Sequence, residues 1–435
     1  MTGSPAFLTD HYELTMVRAA LRDGTAQHRS VFELFGRRLP PGRRYGAVAG
    51  IWRVLEEVPR FRFTEEQIDF AERTGIADDT TARWMADYRF SGDIWGYPDG
   101  ELWFPFSPLL TVESTFAEAV VLETLLLSIL NHDCAVAAAA SRIVLAARER
   151  PCVEMGSRRT HEQAAVASAV ATYIAGFAST SNLQAGLEHG IPTLGTAAHS
   201  YTLVHDSERA AFAAQVEALG VNTTLLVDTF HTEQGIRTAI DVAGPGLGGI
   251  RLDSGDLVIE AQRARDLLDA LGATGTRVVV TSDLDEFSVD ELAGSPVDSY
   301  GVGTRVVTGS GAPTAELVYK LVARAGEPGA ERALDPVAKL STDKVSVGGR
   351  KAAYRRLDGD GVAEAEVLVI ADDGVPQPDP ATHRPLLVPL VAQGRAVRPP
   401  DLAQSRRRHR ASVAELPQPG RLISPGGPAI PTEHQ

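Results

Sequence analysis

The sequence predicts an α/β protein: an irregular seven-stranded βα barrel joined to a second α/β domain that is discontinuous in the chain. Three observations carry that expectation. Short apolar runs ending near Glu154, Phe177, Gly195, Asp228, Asp253, Asp283 and Gly303 alternate with helical segments, at roughly the 20 to 30 residues that one βα unit occupies. No G-x-G-x-x-G follows these strands, which argues against an open dinucleotide-binding sheet. Strand patterns near the two ends of the chain are too few to close another barrel, so the economical reading joins them in one sheet.

Composition narrows the class. A chain of 435 residues has room for two or three domains and a large core. With 44% hydrophobic and 23% charged residues it reads as soluble and globular. A formal net charge of −14 excludes nonspecific binding to nucleic acid or an anionic membrane. Any phosphate must then be held locally, by a few arginines and helix N-termini. Cys134 and Cys152 are the only cysteines, so neither a disulfide scaffold nor a four-cysteine zinc site is available. No basic leader with an apolar core opens the sequence, and the most apolar run, Ala135 to Ala147, is interrupted by Ser141 and Arg142. A cytoplasmic protein is expected.

The first domain is expected over residues 1–113, completed by 340–416, with the barrel over 114–339 and a disordered tail over 417–435. Asp10 to Leu21 has the apolar spacing of a helix capped by Thr9 or Asp10. Val31 to Phe35 reads as a strand, followed by the arginine-rich loop Gly36 to Arg44. That loop is either a solvated surface or an anion clamp reaching a neighbouring subunit. Ile51 to Glu57, Thr64 to Arg73 and Asp79 to Ala86 read as helices. Gly92 to Pro98 and Leu102 to Phe106 resemble a hairpin turned by P-D-G. Glu113 to Arg148 is nearly continuous helical pattern with a break near Asn131. Late strands are expected at Lys351 to Leu357, Glu366 to Ile370 and Leu386 to Leu390, with a basic helix over Leu402 to Leu416.

Polar residues gather where the barrel strands end. The stretch Gly248 to Leu257 places Arg251, Asp253, Ser254 and Asp256 between a buried strand and a helix. Ser254 or Asp256 can serve simply as a helix N-cap, whereas an arginine with two carboxylates is costly to bury without a task. Arg158 follows the first strand, Thr196 and His199 the third, and Ser282 and Asp283 the sixth; Gly301, Gly303 and Thr304 close the set. Backbone N–H groups of the Y-G-V-G-T run can approach a phosphate. Asp253 and Asp283 can orient ribose hydroxyls or hold Mg²⁺ through its waters. Arg251 can pair bidentately with a small carboxylate, and His199 is a candidate for proton or phosphoryl chemistry.

These strings, L-T-D-H-Y-E-L-T-M, E-M-G-S-R-R, G-F-A-S-T-S-N, G-T-A-A-H-S, L-L-V-D-T-F, R-L-D-S-G-D-L, T-S-D-L-D-E and G-V-G-T, stand in an order and spacing that resembles the nicotinate phosphoribosyltransferases over nearly the whole chain. The resemblance implies transfer of a phosphoribosyl group from 5-phosphoribosyl-1-pyrophosphate to nicotinate. ATP would be a co-substrate through a phosphohistidine at His199, with Mg²⁺ as cofactor. It further implies that Tyr12, Thr196 and Arg251 contact nicotinate, Tyr12 from the partner subunit of a homodimer. Gly301, Gly303 and Thr304 would hold the ribose 5-phosphate, and Asp253 and Asp283 would face ribose and the Mg²⁺-pyrophosphate. Arg37 or Arg38 would make a phosphate contact across the dimer. Phe177 is either a core aromatic or a ring that stacks on the pyridine. The C-terminal region lacks the extra cysteines of some relatives, so no structural zinc is expected.

Rival readings keep the fold and change the base to nicotinamide or quinolinate, or change the chemistry to a sugar-phosphate lyase or isomerase. The latter normally needs a lysine or a metal cluster at a strand end, and lysine is nearly absent there. A non-enzymatic homologue is disfavoured by the intact Tyr12, Thr196, His199, Arg251 and Thr304.

Overall fold

The computed structural model describes residues 3–326, 334–339, 346–371 and 378–434. The chain divides into two units, Ala139–Pro313 and a discontinuous unit of Met1–Ala138 with Thr314–Gln435.

The 139–313 unit is built on six parallel strands in the order Ser179–Thr180, Cys152–Glu154, Ser299–Val302, Arg277–Ser282, Gly249–Leu252 and Thr224–Leu226. Their β-branched and aliphatic residues are what a sheet covered on both faces requires: Val278, Val280, Ile250 and Leu225 are all fully buried. Intervening helices supply small residues for close approach. Gly235 sits where a Cβ would lie 2.1 Å from the carbonyl oxygen of Val227, so only glycine lets that helix reach the sheet. The strand expected before Gly195 is reduced to one bridge, Thr193 to Thr180. Pro192 has no N–H to donate, and the run is flanked by Gly190 and Gly195. Among the described residues no ladder joins this segment to Thr224–Leu226, so the unit is a six-stranded parallel α/β sheet without a hydrogen-bonded closure.

The other unit holds a seven-stranded sheet in which Arg29–Gly36 lies between Leu317–Arg324 and Leu110–Thr115, and Asp93–Gly96 pairs with Val388–Ala392. Strands from both ends of the chain therefore share hydrogen bonds. Buried polar links reinforce them: the Tyr97 hydroxyl donates to Glu366 at 2.8 Å and Arg355 pairs with Glu366 at 3.0 Å. Because Leu317–Arg324 pairs with this sheet, the boundary falls at residue 313 rather than 339. The first half of the helix Glu123–Ala147 (Leu125, Leu126, Ile129 and Leu130) belongs to this unit's core, which moves the other boundary from 113 to 138.

Three local expectations are corrected. The P-D-G segment does not turn a hairpin, since Leu102–Trp103 pairs with Gly46–Ala47. Instead the Asp99 carboxylate accepts the N–H groups of Ile51 and Trp52 at 2.9 and 3.0 Å, capping the helix Ile51–Glu57. The helix Glu123–Ala147 is continuous through Asn131, and the break falls earlier, between Val120 and Glu123. Asn131 is tolerated because its Oδ1 accepts the Leu317 N–H at 2.8 Å and the Thr314 hydroxyl at 2.8 Å. Residues 417–434, expected as a disordered tail, form a short 3₁₀ turn at Gln418–Arg421 and a strand, Thr432–His434, parallel to Ala363–Ile370. Arg356 holds that strand by pairing with Glu433 at 2.6 Å. The stretch Phe116–Ala147 is long and apolar enough to cross a membrane, but its most apolar window is 67% buried inside the protein, as in a core helix.

The helix His11–Asp23 carries a buried acid. Glu13 accepts from the Thr124 N–H and hydroxyl at 3.0 and 2.6 Å through one oxygen, while its other oxygen has no hydrogen-bond partner among the described residues. Burial pushes its carboxyl up to about 7, against the lowering effect of Thr124. The folded state thus binds this proton more tightly than the unfolded chain. Glu13 consequently costs stability progressively as pH rises from the ordinary glutamate range through about 7. Glu13→Gln, which mimics the protonated form, is expected to raise Tm at pH 8 and leave it nearly unchanged at pH 5; calorimetry at the two pH values checks this.

Candidate active site

The strand Gly249–Leu252 delivers Arg251 and, just beyond it, Asp253 to one face of the sheet's C-terminal edge. Parallel α/β folds place their ligands at this edge. The turn that follows needs glycine, because Gly255 has φ +88°. Asp256 then caps the helix Leu257–Ala270, accepting the Ile259 N–H at 3.2 Å. Ser254 is not the cap; its hydroxyl donates to Asp228 at 2.8 Å.

Arg251 is the hub. Its Nε donates to the Thr281 hydroxyl at 2.8 Å, Nη1 to Thr196 Oγ1 at 3.0 Å and to the Ala197 carbonyl at 3.2 Å, and Nη2 to Asp253 Oδ1 at 2.8 Å. Asp253 Oδ1 also accepts from Thr281, and its backbone N–H donates to Asp228 at 2.8 Å. Burial acts to raise the Asp253 carboxyl. The Thr281 and Arg251 hydrogen bonds, with the nearby charges of Arg251 and His199, outweigh it and hold the group below its ordinary value. The other carboxylate oxygen lies 3.8 Å from His199 Nε2. His199 opens the short helix His199–Leu203, and its Nδ1 is 3.1 Å from the Thr229 hydroxyl. One hydrogen-bonded network therefore runs Thr196–Arg251–Asp253–Thr281, with His199 and Thr229 at its edge.

Two cavities open on this network. The first, about 350 Å³, is walled by Met155, Leu194, Ala198 and Leu226 with Arg158, Thr196, His199, Arg251 and Asp253. An apolar wall facing a guanidinium suits a small aromatic acid. The second, about 210 Å³, is polar: Arg158, Arg159, Thr281, Ser282, Asp283, Gly301, Gly303 and Thr304, with Met155, Arg251 and Asp253 shared. Arg158 also lines both cavities. The second cavity's mixture of cations, hydroxyls and carboxylates suits a phosphorylated sugar. Behind both, the fully buried Glu154 accepts from Gly156 N–H and from the Thr180 hydroxyl at 2.5 Å. This fixes the turn that carries Arg158.

Of the residues singled out from sequence, Arg158, Thr196, His199, Arg251, Asp253, Ser282, Asp283, Gly301, Gly303 and Thr304 line these cavities. Phe177 does not. It is fully buried, because it closes the turn after the helix Glu162–Ile174, with its N–H donating to the Thr172 carbonyl; its ring is a core aromatic. Tyr12, Arg37 and Arg38 belong to the other unit. There Tyr12 is 46% exposed, Arg37 lies over the Phe35 ring at 5.8 Å, and Arg38 pairs with Glu316 at 2.8 Å. Thr281 is the residue that sequence reasoning passed over, although it contacts both Arg251 and Asp253. Strand parity would have found it, since Thr281 and Asp283 share a face and Arg251 pairs in register with Val279 two residues earlier. Asp228 stood among the strand ends without a role, and Thr229 follows it in the L-L-V-D-T-F string.

Gly301 is required by packing: a Cβ there would sit 2.5 Å from Thr281 Cγ2 and 2.7 Å from Met155 Sδ. Gly301→Ala is expected to push Thr281 away from Arg251 and Asp253, lowering kcat/KM by roughly 10- to 100-fold and stability by about 1–3 kcal/mol. Kinetics alongside a denaturation curve would check both.

Residues 7–131 match the family model of the nicotinate phosphoribosyltransferase N-terminal domain. The chain is 53% identical over 433 residues to a nicotinate phosphoribosyltransferase of Mycobacterium tuberculosis, covering 98% of this chain and 94% of that one. It is 30% identical to the human nicotinate phosphoribosyltransferase over 505 aligned positions, covering 96% and 93%. The crystal structure of human nicotinic acid phosphoribosyltransferase superposes with a TM-score of 0.82 at 27% identity, covering 98% of this chain and 97% of that one.

Proposed function

The chain belongs to the nicotinate phosphoribosyltransferase family of NAD salvage, and from that premise we propose that it joins nicotinate to 5-phosphoribosyl-1-pyrophosphate with ATP hydrolysis coupled through His199. The observation that best supports this reading is the Arg251 hub, a guanidinium on an apolar cavity that opens beside a polar one.

The nicotinate ring nitrogen attacks the anomeric carbon; the new N–C bond forms as the C–O bond to pyrophosphate breaks. The nitrogen is already nucleophilic and needs no base, so catalysis rests on position and electrostatics. Arg251, steadied by Thr196 and Thr281, reads the nicotinate carboxylate. Asp253 is held ionised and faces the cation-like ribosyl centre. Gly301, Gly303 and Thr304, with Arg158, bind phosphate at the polar cavity.

Among the described residues no three His, Cys, Asp or Glu side chains converge as a metal cage. Asp253 and Asp283 do line one cavity, and this pair of carboxylates fits a Mg²⁺ that keeps its waters and meets substrate phosphates. When bound, Mg²⁺ supplies charge neutralisation to the departing pyrophosphate.

ATP enters by transfer of its γ-phosphoryl group to His199. An N–P bond forms as the P–O bond to ADP breaks, and water later releases phosphate. A dimer is supported by apolar side chains left exposed, Leu183 and Leu187 on one helix, and Leu203 and Val204 at the end of another. On this reading the partner subunit's Tyr12 completes the nicotinate site.

The test is direct. Purified protein given the donor and nicotinate is expected to release pyrophosphate and the mononucleotide in equal amounts. Nicotinamide or quinolinate in the same assay should be poorer by about 100-fold or more in kcat/KM, because the arginine is left unpaired or overcharged. Absence of pyrophosphate release, or equal use of nicotinamide, would overturn the assignment.

A further inference from the structure

The discontinuous unit has a cavity of its own, about 210 Å³, to which the reaction above assigns nothing. Three segments far apart in sequence converge on it: the helix Ile51–Glu57, the P-D-G segment, and the run from Val388 to Arg408. Trp52, Leu55, Pro98 and Leu390 supply flat and aliphatic wall, and Arg398 and Arg408 supply charge.

The acids lining the same cavity are committed elsewhere. Asp99 spends both oxygens on the N–H groups of Ile51 and Trp52, and Asp401 caps the helix Leu402–Ala414 through the Gln404 N–H at 2.9 Å. Among the described residues Arg408 donates one hydrogen bond, from Nη1 to the Asp99 carbonyl at 2.6 Å. The half-buried Arg408 side chain lines the cavity. Burial lowers the Arg408 guanidinium, against the raising effect of the Glu101, Asp99 and Asp401 carboxylates.

We propose that this cavity binds a small single-ring aromatic carboxylate, the ring against Trp52 and Leu55 and the carboxylate on Arg408 and Arg398. The volume is sufficient, since an apolar cavity of about 150 Å³ holds benzene. A guanidinium pairs bidentately with a carboxylate. A dianion such as phosphate would meet the Asp401 carboxylate in the same cavity, which favours a monoanion.

Fluorine NMR of para-fluorobenzoate with the full-length protein tests the assignment. Saturable line broadening is expected, weakened about tenfold or more by Arg408→Met, the loss of roughly one charge-assisted hydrogen bond. Leu55→Trp, which fills the cavity, should weaken it to a similar extent. Arg251→Met, in the other unit, should leave this binding unchanged and separates it from any occupancy of the cavity beside His199. If Arg408→Met does not fold by circular dichroism, the exposed Arg398→Met and Leu55→Trp decide in its place. No saturable binding, or binding lost in Arg251→Met and kept in the Arg408, Arg398 and Leu55 variants, overturns the proposal.

Discussion

Replacing Arg251 by alanine is expected to raise KM for nicotinate by about 100-fold or more and KM for the phosphoribosyl donor by less than about tenfold, since removing one partner of a desolvated charge pair costs about 2–5 kcal/mol. Only 12% of the Arg251 side chain is exposed, and it makes four hydrogen bonds, so truncation removes both a ligand contact and the brace of Asp253. The asymmetry between the two substrates carries the claim. Nicotinate loses the group that reads its carboxylate, whereas the donor keeps Thr304, Ser282 and Asp283.

A second signature concerns pH. Arg251 is one of the groups that depress the Asp253 carboxyl. Without it that carboxyl titrates higher, so the acid limb of kcat/KM should move to higher pH in the variant. Arg251→Lys keeps a charge but not the four-way fork, and should recover the pH limb better than the nicotinate KM. Steady-state kinetics with each substrate varied across pH separates these effects; an equal rise in both KM values would sink the carboxylate role.

Periodic and covalent-geometry signals were legible in the sequence where one local rule decided the outcome. Ile51–Glu57 and Lys351–Leu357 form with the limits their patterns indicate, because burial on one face and short flanking turns leave no competitor. The errors arose where a side chain was claimed by a distant segment. Asp99 reads as a turn residue, but its carboxylate satisfies two helix N–H groups nearly fifty positions away. Asn131 reads as a helix break, yet a strand more than 180 residues later uses it as an acceptor. The tail reads as unstructured from its prolines and glycines, and only the pairing of Thr432–His434 with Ala363–Ile370 gives it a strand.

The site divides the same way. Charged and glycine-rich strings at strand ends announced Arg251, Asp253 and Gly301 because such residues are expensive in a core. Thr281 is a β-branched residue in a buried strand, so its sequence context is indistinguishable from packing. Its role became visible through strand register, which sets its hydroxyl against Arg251 and Asp253. Phe177 shows the converse: a ring beside a functional string that belongs wholly to the core.

Replacing His199 by alanine is expected to abolish ATP turnover linked to product, on the order of a thousandfold or more, while slow product formation without ATP persists. The imidazole touches the Arg251 hub only at its edge, with Nε2 3.8 Å from Asp253, so its removal leaves the nicotinate and phosphate contacts in place. A ring that attacks phosphorus through Nε2 carries its proton on Nδ1, where the Thr229 hydroxyl, 3.1 Å away, accepts it. Thr229→Val should therefore lower coupled turnover about tenfold by releasing the ring, without the full loss seen in His199→Ala. A phosphoryl group on Nε2 would stand beside Asp253 and bring negative charge to the wall that also carries Asp283, which favours a divalent cation and its pyrophosphate there. Labelled γ-phosphate should appear on the wild-type protein as an acid-labile adduct and be missing from His199→Ala. The ratio of ADP to mononucleotide should fall to the uncoupled background in the variant. If His199→Ala still hydrolysed ATP in step with product, the phosphoryl acceptor would have to be another residue.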